Sequence, residues 1–150
     1  TRMANNFYSH HYIIQETVKI MINQSFGGSI SINLSKQSIN PGNNFGPYGI
    51  AKASALFMMK QYALECGKYN IRVNGVNADR IQSGLLTKEM ITQRSKARGI
   101  KEDDYLKNNL LNKKVTAADV AESFFVQLSL DKTTANIITV DGGNIEASLR

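Results

Sequence analysis

Three short apolar runs limit what this chain can fold into. They read SISINLS at 29–35, IRVNGVNA at 71–78 and IITVDGG at 137–143. Their β-branched content is that of buried strands. Helical stretches separate them. Across 6–24, NFYSHHYIIQETVKIMINQ, the residues Ile14, Val18, Met21 and Ile22 recur near one face. SFGG should close that helix, with Gly27 suited to a left-handed terminus. A second helix is expected from about Pro47 to Cys66, stopping at Gly67. A third follows Thr116, its N-cap, with Asp119 three residues on and Val120, Phe124 and Leu128 as its buried stripe. Residues 84–114 read as short polar helices and loops. Short strands alternating with helices call for parallel pairing through right-handed crossovers. The expected fold class is therefore α/β, and three strands are few for a doubly wound sheet, so the chain reads as part of something larger.

Composition narrows the function classes. Of 150 residues, 42% are hydrophobic and 20% charged, which is neither a disordered nor a membrane composition. No run approaches the ~18 apolar residues of a spanning helix. A single Cys66 rules out an internal disulfide and leaves no thiol set for a metal, so the cytoplasm is the expected compartment. The net charge of +6 is concentrated between 88 and 114, where eight Lys/Arg face four Asp/Glu. No aromatic interleaving or recognition helix accompanies it. A solvated or ligand-steering face is expected, with neither nucleic acid nor membrane as partner.

The chemistry is concentrated in PYGIAK. Tyr48 and Lys52 stand at i and i+4 and leave one face of one helix. Pro47 sets the helix start, which places Tyr48 at the positive end of the dipole. A phenol has a pKa near 10, and an ammonium one turn away is expected to pull it down. Such a group exchanges a proton with an alcohol or carbonyl. Ser35, thirteen residues before Tyr48, ends a strand, and ligands in open α/β sheets bind beyond strand ends.

GGSISINLS, YGIAKA, IRVNGVNA and VDGG occur in an order and spacing that resemble the short-chain dehydrogenase/reductase family. The likeness covers essentially all of 1–150, as the C-terminal portion of that family's Rossmann-like domain. It implies an NAD- or NADP-dependent oxidoreductase moving a hydride between nicotinamide and a small hydroxy compound, aldehyde or sugar. Tyr48 would be the acid/base, Lys52 would tune it and hold the nicotinamide ribose, and Ser35 would orient the substrate oxygen. Asn6, with Asn5 as fallback, would complete a proton relay through water. Ile81 (through its backbone) and Ser83 (through its hydroxyl) would contact the cofactor, and 84–114 would be the substrate lid. Two strings, NPGNNFGPY and NADRIQSGLL, look most like the dehydrogenase half of bifunctional aldolase/short-chain dehydrogenase proteins.

The family's T-G-x-x-x-G-x-G phosphate turn has no counterpart here, so the resemblance puts it before Thr1 and implies that this piece alone is inactive. Ala78-Asp79 stands where the family has Pro-Gly; Asp79 and Arg80 are either a substrate-side adaptation or an ion pair. The resemblance also implies that helices 6–24 and 47–66 pack against partner copies in a homo-oligomer, dimer or tetramer, and an oligomerisation module without catalysis is the alternative function. His10 and His11, adjacent and pointing apart, are expected in surface or packing roles.

Overall fold

The computed structural model describes residues 1–84 and 86–144. Leu85 of the expected lid and residues 145–150 lie outside them. Strand β1 is Gly28–Asn33, β2 is Ile71–Ala78 and β3 is Ile137–Val140. They form one parallel sheet in the order β1-β2-β3, with Ile32 opposite Gly75 and Asn77 opposite Thr139.

Helix α1, Ser9–Gln24, and helix α2, Gly46–Cys66, cover one face. Ile14 and Val18 of α1 share a core with Ala55, Leu56 and Met59 of α2 and with Ile32, Ile71 and Val73 of the sheet. Each such side chain contributes about 1.5–3 kcal/mol on burial. Both helices lead into the start of a strand, so both N-termini lie at the C-terminal edge of the sheet. Helix α5, Ala117–Ser129, covers the opposite face. Between β2 and α5 come α3, Lys88–Ala97, and α4, Glu102–Lys107, which close over Leu86, Ile91 and Tyr105.

Several expectations need correcting. α1 ends at Ser25, which takes the left-handed conformation at φ 62°. Gly27, at φ 82°, instead makes the entry to β1, where an added Cβ would lie 2.3 Å from the Asn70 carbonyl oxygen. The first strand stops earlier than expected, at Asn33, and the last, Ile137–Val140, stops before its Gly-Gly pair. On α5, Thr116 and Asp119 form the expected capping box, but the stripe is shifted. Leu128 is 44% exposed, Val120 and Phe124 are half-buried, and the buried residue is Gln127. Its amide donates to the Gly75 carbonyl at 2.9 Å and its carbonyl accepts from Ser31 Oγ. A polar side chain wins this place because it satisfies groups that a leucine would leave bare.

The chain enters α1 through a π-helical turn, Ala4–Tyr8. Such turns displace backbone carbonyls from the regular ladder and occur often at functional sites.

Candidate active site

Pro47 near the start of α2 preorganises the helix entry, and Tyr48 follows in the first turn. The phenol is only 9% exposed and packs edge-on against Phe45, with ring centroids 5.9 Å apart. Arg94 of α3 lies over the other ring, its Cζ 4.7 Å from the Phe45 centroid, so the segment after β2 closes onto this helix end. Ser35 caps a 3-10 turn, Lys36–Ser38, accepting from the Gln37 amide at 3.2 Å, and its hydroxyl hydrogen-bonds the Tyr48 phenol. Lys52, 4% exposed, donates from Nζ to the Asn33 carbonyl at 2.7 Å and lies 5.9 Å from the Tyr48 ring centroid. Ser35, Tyr48 and Lys52 thus meet at the C-terminal end of β1.

The electrostatics differ from the expectation. Burial raises the Tyr48 pKa above 10, and that effect outweighs the opposing hydrogen bond from Ser35 and the nearby Arg2 guanidinium. Lys52 does not hold the phenol down here; its ammonium is committed to a backbone carbonyl. Burial also lowers the Lys52 pKa to about 8. Both shifts have one cause, a dry environment that penalises charge.

Asn6 is half-buried within the π-turn, and its Nδ2 donates to the Arg2 carbonyl at 3.1 Å. Asn5 is exposed, and its carbonyl accepts from Ser9 Oγ. Ile81 is half-buried. Ser83 pins its own loop: its amide donates to the Leu86 carbonyl at 3.1 Å and its Oγ accepts from the Leu86 amide at 3.3 Å.

Asp79 is the centre of an ion-paired junction. Its Oδ2 meets Lys36 Nζ at 2.9 Å, Arg80 Nε at 3.5 Å and Asn144 Nδ2 at 2.8 Å. Arg80, at φ 55°, donates onward to the Asn108 carbonyl at 2.8 Å and lies over the Tyr105 ring. Where the family has Pro-Gly, this chain joins the ends of β1 and β2 to α4. An open cavity of about 530 Å³ lies beside it, with Arg80, Ser83, Lys88, Lys114 and Thr116 in its wall and no carboxylate lining it among the described residues.

One group escaped the sequence reading, and a second was expected only in a surface or packing role. Asn77 is fully buried and neither polar atom of its amide has a hydrogen-bond partner; Thr139, opposite it on β3, has an orphaned Oγ1. The alternation of β2 could have placed Asn77 inside, on the face of Ile71 and Val73. The second is His10, whose pKa is lowered by burial and then by Lys52. His11 does pack as expected, stacked on Phe7 and 3.3 Å from the Tyr62 hydroxyl. Among the described residues no His/Cys/Asp/Glu group could hold a metal, and no helix is long and apolar enough to cross a membrane.

A parallel sheet with helices on both faces is the frame of Rossmann-like domains, in which ligands bind beyond the C-terminal ends of the strands. The family model described as enoyl-(acyl carrier protein) reductase matches residues 1–144, and the chain belongs to the short-chain dehydrogenase/reductase family. It is 34% identical over 139 residues to the oxidoreductase YuxG of Bacillus subtilis, covering 87% of this chain and 20% of that protein. Its fold is similar to acetoin dehydrogenase from Salmonella typhimurium, at TM-score 0.79 and 21% identity over 98% of this chain and 55% of that one. It is equally similar to a 4-hydroxyisoleucine dehydrogenase mutant complexed with NADH and succinate, at TM-score 0.81 and 20% identity over 96% and 58%. The chain therefore spans only part of the length of each of these relatives.

Proposed function

We propose that this chain carries the proton-transfer half of an NAD- or NADP-dependent oxidoreductase acting on a small hydroxy compound, aldehyde or sugar. The observation that carries the reading is the burial of Ser35, Tyr48 and Lys52 together at the C-terminal end of β1. A bound nicotinamide supplies or accepts the hydride. The chain's residues handle the oxygen and its proton. Ser35 Oγ, which already hydrogen-bonds the phenol, holds a substrate oxygen beside Tyr48. The raised pKa keeps Tyr48 protonated at neutral pH, the form that donates a proton when a carbonyl is reduced. Oxidation of an alcohol uses the same step reversed.

The residues present fit the cofactor. Lys52 has three N–H donors and, among the described residues, gives one hydrogen bond, so it can also hold ribose hydroxyls. Ile81 through its backbone and Ser83 through its hydroxyl contact the nicotinamide side. Asn6 joins the relay from the π-turn, and the segment 84–114 acts as the lid. Arg80, Lys88 and Lys114 around the cavity suit a polar or anionic substrate. Kinship with bifunctional aldolase/dehydrogenase proteins rests on the strings NPGNNFGPY and NADRIQSGLL; YuxG, of which this chain spans one fifth, has room for a further domain. The lone, buried Cys66 suits a reducing compartment such as the cytoplasm.

Replacing Tyr48 with Phe in the protein that carries the preceding nucleotide-binding half should lower turnover by about 10²–10⁴-fold with the fold intact. Full activity in that variant refutes the assignment. A homo-oligomerisation role without catalysis is the second reading. It is favoured by Phe57 and Leu64, exposed at 71% and 78% on α2. A clean monomer in light scattering counts against it.

A further inference from the structure

The segment between β2 and α5 closes on its own small core of Leu86, Ile91 and Tyr105. Arg80, Arg94 and Arg98 all approach Tyr105, but their surroundings differ. Arg80 is paired with Asp79 and donates to the Asn108 carbonyl. Arg98 is exposed and donates back to the Arg94 carbonyl at 3.3 Å. Arg94 is half-buried, and among the described residues no carboxylate pairs with it. Acids of the same segment are engaged elsewhere: Glu102 accepts from Thr92 Oγ1 at 2.6 Å, and Asp103 holds Lys107 and Lys114.

The position of that guanidinium is well defined. Its Cζ lies 4.7 Å from the Phe45 centroid, and its Nη1 reaches the Tyr105 hydroxyl only at 3.4 Å. Stacking on a ring holds the plane of an arginine and leaves its edge N–H groups able to donate. Phe45 packs edge-on against Tyr48, so the cation stands two contacts away from the phenol. Partial burial of a cation without a counter-ion costs free energy that an arriving anion returns. A carboxylate matches the guanidinium fork in plane, spacing and single charge. A phosphate monoester carries nearly two charges, which one guanidinium only half neutralises. Of the cations lining the neighbouring cavity, Arg80 and Lys114 already have carboxylate partners, so Arg94 is better placed to take a new one.

We propose that Arg94 determines specificity and that the substrate is a small hydroxy acid, or the corresponding oxo acid in the reverse direction. The carboxylate meets Arg94 while the hydroxyl or carbonyl oxygen meets Ser35 and Tyr48. This rests on the oxidoreductase reading above and names the substrate class of that site. Arg94 belongs to α3 and Phe45 opens α2, so a carboxylate held there also fastens the segment after β2 over the reacting oxygen.

The test uses the protein carrying the nucleotide-binding half, with either nicotinamide cofactor. Lactate and glycerate are compared with their neutral amides and with glycerol phosphate. In wild type, kcat/KM should favour the acids over the amides by about 10–100-fold, the worth of one hydrogen-bonded charge pair. Arg94→Leu should abolish that preference, chiefly by raising KM for the acids, and Arg94→Lys should recover part of it. Equal losses on acids and amides in Arg94→Leu would mean that the arginine only supports Phe45, and would overturn the proposal. An active wild type that prefers the amides or the phosphate ester overturns it too and leaves the oxidoreductase reading standing. A wild type that turns over no hydroxy or carbonyl compound overturns both.

Discussion

Burial and neighbours pull on the Tyr48 phenol in opposite directions, and burial wins. The same dryness acts on Lys52, whose ammonium titrates near pH 8 in the fold and near 10.5 in the unfolded chain. Between those values the unfolded chain holds more protons, so Lys52 makes stability rise with pH across that window. Below pH 8 the full cost of the buried charge is present; above about 10.5 it is gone. Lys52→Met should accordingly stabilise the fold by about 1–3 kcal/mol at pH 7, with the advantage shrinking toward pH 10.5. Urea unfolding at both pH values checks this; a constant difference would contradict it. The resemblance singled out Tyr48, Lys52 and Ser35, and the structure brings the three together near the end of β1. The sequence did not reveal the direction of the phenol's shift, because desolvation depends on what packs above it.

Helices and strands were legible where local chemistry decides them. The capping box at Thr116 and Asp119 needs no tertiary partner, and it formed as read. Thr116→Ala should cost about 1 kcal/mol, read as a lower midpoint in denaturant with an unchanged slope. The face of α5 was not legible, because hydrophobic spacing cannot foresee that Ser31 and the Gly75 carbonyl require a polar partner. Gln127→Ala leaves that carbonyl buried and unpaired and opens a cavity, so about 2–4 kcal/mol of stability should be lost. A loss under 1 kcal/mol would mean that water replaces the amide easily. The end of α1 illustrates the same limit. Gly27 was the conformational choice, yet the chain turns at Ser25 and keeps Gly27 for a close pass beside Asn70.

Across the whole molecule, apolar side chains remain uncovered on two sides. Ile13 and Ile20 of α1 and Ile50, Phe57 and Leu64 of α2 are exposed, as are Phe125 and Leu128 of α5. These are the groups through which the proposed homo-oligomer would form its contacts. Phe57→Glu with Leu64→Glu should shift any assembly toward monomer in light scattering, leaving circular dichroism unchanged; an unaltered mass would exclude α2 from the interface. Topology has a further consequence. Among the described residues β1 is a border strand, paired only with β2, and Ser35 follows directly from its end. Its outer amides and carbonyls stand ready to take another parallel strand. Ser35 thus lies close to that open edge, and restoration of turnover in trans by a separately made polypeptide supplying neighbouring strands, as in a split reporter, would test the proposed function.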